Sequence, residues 1–65
     1  MADNECRDAC NTAYKARIVK LFDTLADCLL TSDTDAERTA CRERFRRGVL
    51  AARQAREIAM AECGD

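Results

Sequence analysis

Five cysteines in a chain of 65 residues constrain the fold more than any other feature. In an antiparallel helical hairpin, residues that face each other have numbers with a nearly constant sum, because each step up one helix is matched by a step down the other. The numbers of Cys6 and Cys63 sum to 69, and so do those of Cys28 and Cys41. The midpoint of that register falls between Thr34 and Asp35, within the polar stretch Thr31-Ser32-Asp33-Thr34-Asp35. These residue types compete with helix for local hydrogen bonds and favour turns. Two nested disulfides, Cys6 to Cys63 and Cys28 to Cys41, are therefore expected, with Cys10 left as a free thiol.

The chain on either side of the turn reads as helix. Cys6, Cys10, Tyr14, Ile18, Leu21, Leu25 and Cys28 recur every three or four residues, which marks one helical face. Asp3 is suited to cap that helix at its start. Thr34-Asp35-Ala36-Glu37 has the form of a capping box, so a second helix starts there. Its inner face runs through Cys41, Phe45, Gly48, Ala52, Ala55 and Ala59 to Cys63, and Gly64 supplies a left-handed stop. The predicted fold is a single all-α domain over residues 1–65, with helices at 4–30 and 35–63 and a turn at 31–34. Pairing of two such hairpins would give a four-helix bundle.

Close packing is a second requirement, because a bridge between facing helices brings its Cα atoms to about 4.4–6.8 Å. The sum rule sets Leu21 against Gly48, Tyr14 against Ala55 and Cys10 against Ala59, so large residues meet small ones. The aromatic residues are only Tyr14, Phe22 and Phe45. With so thin a core, a domain of this length depends on covalent staples.

Nested bridges across a helical hairpin resemble the coiled-coil-helix-coiled-coil-helix proteins of the mitochondrial intermembrane space and the plant α-hairpinin inhibitors. Those families carry regularly spaced cysteine pairs on both helices. Here only Cys6 and Cys10 form such a pair, and the second helix has no counterpart, so no function is carried over.

Several function classes are excluded or disfavoured by what the chain contains. The absence of histidine removes imidazole bases and histidine metal sites. No glycine-rich phosphate loop exists, and Ser32 has no base near it. Carboxylates such as Asp23, Asp27, Asp33 and Asp35 sit where helix ends and turns use them. The expectation is a non-enzymatic protein without a cofactor.

The three cysteines at the open end, Cys6, Cys10 and Cys63, allow a rival reading as a thiol site. They could bind zinc or copper(I), with Glu62 or Asp65 completing the shell, or exchange disulfides through Cys10 and Cys6. A bridge plus one spare thiol is preferred, because it accounts for four cysteines at once.

Two surface patterns remain. Lys15, Arg17, Lys20, Arg42, Arg46, Arg53 and Arg56 gather at the waist of the hairpin, with Arg38, Arg44 and Arg47 around them, while acids occupy both tips. Such a waist suits polyanions, but net charge is −1 and no aromatic interleaves the arginines for base stacking. Nucleic acid is therefore a disfavoured partner, and intrahelical pairs such as Glu43 with Arg47 or Arg53 with Glu57 are the simpler use of these charges. Val19, Phe22, Ala26, Leu29 and Leu30 continue the apolar stripe of the first helix beyond what one partner helix covers. Leu50, Ile58 and Met60 likewise fall outside the alanine seam of the second. Uncovered apolar faces mark interfaces, so the expected function is a protein-interaction module that pairs with itself or another protein.

No apolar run approaches the ~20 residues of a membrane-spanning helix. The cysteine content points to an oxidising compartment, secreted or periplasmic. Residues 1–5 lack the basic and apolar regions of a signal peptide. A mature form in which an initiator Met replaces the leader would reconcile the two. The alternative is a cytoplasmic protein with reduced thiols or bound metal.

Overall fold

Among the described residues two antiparallel helices, α1 (Asp3–Leu30) and α2 (Asp35–Glu62), form the architecture. The computed structural model describes residues 3–64, with side chains from Asn4 onward. The capping role expected of the Asp3 side chain lies outside that range, as does any role of Asp65. Among the described residues there is no strand, and no helix is long and apolar enough to cross a membrane.

The turn is built by the chemistry that its sequence announces. The Glu37 N–H donates to Thr34 Oγ1 at 3.1 Å, and Glu37 Oε1 accepts from the backbone N–H groups of Asp33 at 2.6 Å and Thr34 at 3.1 Å. Three donors near the start of α2 are thereby satisfied. The Asp33 and Thr34 amides, in that order, hold the Glu37 carboxyl below its ordinary pKa, because they stabilise its charged form. On the α1 side, Thr31 Oγ1 donates to the carbonyls of Asp27 and Cys28, and Ser32 Oγ donates to Cys28 O at 2.7 Å.

The far end of α2 stops one residue earlier than expected. Cys63 is the C-cap, with its N–H bonded to Ala59 O, and Gly64 takes φ +82°. That left-handed conformation strains a residue bearing a Cβ, which is why glycine stands there.

Between the ends, the helices approach closely along the predicted seam. A Cβ placed on Gly48 would lie 2.5 Å from Leu21 Cδ2, so the leucine occupies the space that the glycine leaves. The Cα atoms of the bridged pairs are 5.8 Å apart for Cys6–Cys63 and 5.9 Å for Cys28–Cys41.

The result is a rod of one helix layer. Its Cα extents are 51 × 15 × 7 Å and its radius of gyration is 15.2 Å, against about 11 Å for a compact chain of this length. Cys41, at 2% exposure, is the only described residue that is fully buried.

Candidate functional site

Three sulfur atoms meet at the open end. Cys6 and Cys63 are bridged, and Cys10, one helical turn along α1, is free and half-buried. Its Sγ lies 3.9 Å from Cys63 Sγ. Since a bridged sulfur carries no proton, Cys10 S–H is the donor in that contact. The Sγ atoms of all three residues lie within 4.8 Å of one another. Cys10 therefore abuts Cys63 rather than being poised on Cys6, as the spacing along α1 alone suggests. Arg7 closes this end from outside, with its Nη2 donating to Gly64 O at 3.2 Å. Arg7 is marked by no periodicity or motif, and only the folded register reveals its contact with Gly64.

Further down the rod, Cys10, Tyr14, Ala52, Ala55 and Ala59 line one groove, together with Ala13, Arg17 and Arg56. The pairings expected from the sum rule are thus realised there. The basic waist is divided between sites. The Arg56 guanidinium carbon stands 3.9 Å from the centre of the Tyr14 ring, a cation–π contact that covers the ring and leaves the arginine half-buried. Arg42, Arg46 and Arg53 instead rim a groove on α2 floored by Phe45, Val49 and Leu50. Lys15 and Lys20 are exposed. Among the described residues the pairs Glu43–Arg47 and Arg53–Glu57 do not form, whereas Arg38 bridges Asp35 at 2.9 Å in the first turn of α2.

The apolar residues outside the seam are open to solvent. Phe22 is 61% exposed, Val19 59% and Leu30 83%, and Ala26 is exposed as well. Leu29, at 38%, is less exposed than Phe22, Val19 or Leu30. On α2, Leu50 and Ile58 are exposed, while Met60 is half-buried.

Helical sense reverses with chain direction, so the flank of α1 bearing Phe22 and Leu29 opens on the same broad side as the Arg42–Arg46–Arg53 groove of α2. Thr24 and Arg44 share a groove with Cys28 and mark the opposite side.

These features define a disulfide-stapled, two-helix rod with a three-sulfur end and an apolar broad side. The chain matches no protein-family model, and no curated protein or solved structure matches it.

Proposed function

We propose that this protein is a non-enzymatic interaction module, acting in an oxidising compartment outside the cytoplasm, and that a second copy of the chain covers its apolar side. The observation that carries this reading is the exposure of Phe22, Val19 and Leu30 in a chain where Cys41 is the only fully buried residue among those described. Burial of each such side chain contributes roughly 1.5–3 kcal/mol, a large term beside the stability of so small a domain.

The dimensions support a partner of the same kind. The broad side, 51 by 15 Å between Cα extremes, is of the order of the ~800 Å² per partner that a standard interface occupies. A two-fold axis through the α1 strip sets Phe22 and its neighbours against their copies. It leaves Arg42, Arg46 and Arg53 along the rim, where charged residues remain solvated. The two formed bridges fit an oxidising compartment.

Sedimentation equilibrium of the oxidised protein tests the reading. Dimerisation at micromolar concentration is expected, weakened by Phe22→Glu and unaffected by Arg44→Glu, which alters the opposite side. A single 7.3 kDa species at all concentrations would remove self-association.

A further inference from the structure

We infer that the open end is a redox-gated binding site for one thiophilic d10 cation, Zn²⁺ or Cu⁺, held by Cys6, Cys10 and Cys63. The inference is independent of the interaction face. It rests on the spacing of Cys10 and Cys63, whose sulfurs stand 3.9 Å apart without a bond between them. Two thiolates on one such ion, each at about 2.3 Å, are held about 3.8–4.0 Å apart in tetrahedral or trigonal geometry. In the bridged form these two sulfurs thus already stand at the separation that two ligands of one such ion adopt.

The third sulfur completes a triangle rather than a row. An ordinary S–S bond of about 2.05 Å added to the 3.9 Å contact exceeds the 4.8 Å span of the cluster, so Cys10 stands beside the Cys6–Cys63 bond and not behind it. A row would suit in-line attack of Cys10 on the bridge. A triangle suits an ion at its centre. Soft thiolates select zinc and copper(I) over magnesium or calcium. Among the described residues no carboxylate joins the three sulfurs, so the cluster itself supplies three ligands.

The bridge is the gate. While Cys6 and Cys63 are bonded to each other, Cys10 is the one thiol present. A dithiol reductant opens the bridge by giving up two electrons and two protons, becoming a disulfide itself, and Cys6 and Cys63 become thiols. The cation then binds as the three thiols release their protons to water. Cys6 is exposed, whereas Cys41 of the other bridge is 2% exposed, so limited reductant reaches the open end first. Cys28–Cys41 then still joins the two helices at the turn.

The test is a Zn²⁺ titration, followed by native mass spectrometry and by competition with a chromophoric chelator. One sample is oxidised protein and the other has been opened with one equivalent of dithiol, with alkylation mapping to show which bridge has been cut. One zinc per chain is expected in the opened form and none in the oxidised form. Cys10→Ser, which leaves both bridges intact, should lower the affinity at least about tenfold, since even loss of an outer-shell partner has that effect. If both bridges open at the same dose, Zn²⁺ should still restore helicity to the wild type and not to Cys10→Ser. Equal zinc uptake by Cys10→Ser, or no uptake by the opened wild type, overturns the inference.

Discussion

The two ends of the rod are both closed by a disulfide, yet they are built on different terms. At the turn, Cys28–Cys41 is one of many constraints. The capping box, the Thr31 and Ser32 hydroxyls and the short connection already bring the helices together, and Ser32 Oγ lies 3.3 Å from Cys41 Sγ. At the open end Cys6 and Cys63 meet across 57 residues of sequence separation, and the Arg7–Gly64 hydrogen bond and the Cys10–Cys63 contact accompany the bridge. A bridge beside a turn confirms what local chemistry has arranged. A bridge between chain ends supplies what local chemistry cannot.

That contrast predicts unequal consequences of removal. In the chain-entropy account, replacing Cys6 and Cys63 by Ser should cost roughly 4 kcal/mol and replacing Cys28 and Cys41 roughly 3 kcal/mol. The first is comparable to the entire stability of a domain of this size. Urea unfolding of the two double variants checks the order, and greater loss at the turn would invert the comparison.

A smaller effect is expected midway between the ends. Gly48→Ala gains about 1 kcal/mol of helix propensity but sets a methyl 2.5 Å from Leu21 Cδ2. Overpacking costs typically 1–3 kcal/mol, so net destabilisation of about 1 kcal/mol is expected, relieved in the Leu21→Ala background. Stabilisation by Gly48→Ala alone would show that the helices separate freely and that only the ends hold them.

An effect of similar size belongs to the turn itself. Thr34→Ala should cost about 1 kcal/mol by loss of the cap. Because the Glu37 pKa is depressed in the folded protein, its contribution is present above the ordinary glutamate pKa and fades as pH falls through the lowered one. Acid melting curves of wild type and Glu37→Gln should therefore converge at low pH, and a constant gap across the range would deny the cap its charge.

What the sequence discloses follows the same division. The bridges, the turn, the capping box and the facing of Leu21 with Gly48 were legible because each depends on chain position and residue type alone. The contact of Arg56 with Tyr14 was not, and the gathering of Cys10 with Cys6 and Cys63 was legible without the detail that the Cys10 sulfur abuts Cys63. That contact and that detail hang on side-chain rotation about helices whose phase only the folded register fixes. The basic waist was legible as a band along the chain, but its separation into Arg42, Arg46 and Arg53 around one groove and Arg56 over Tyr14 required the third dimension. The exposure of Leu29 was legible as well, though at 38% it is less open than Phe22 or Leu30.

The spacing of the rungs has a mechanical consequence. Cys6 and Cys28 are 22 residues apart on α1, and Cys41 on α2 is 22 residues from its C-cap, Cys63. At about 3.67 residues per turn, 22 residues make six whole turns, the period of two 11-residue repeats, which favours straight or slightly right-handed winding. The covalent ladder thus acts as a torsion clamp that resists the left-handed winding of heptad coiled coils. A helix lying along this rod meets rows of side chains that drift by about 20° per heptad from its own seam. Straight or right-handed partners are favoured by the clamp itself, and cutting the open rung frees one end of the rod to turn.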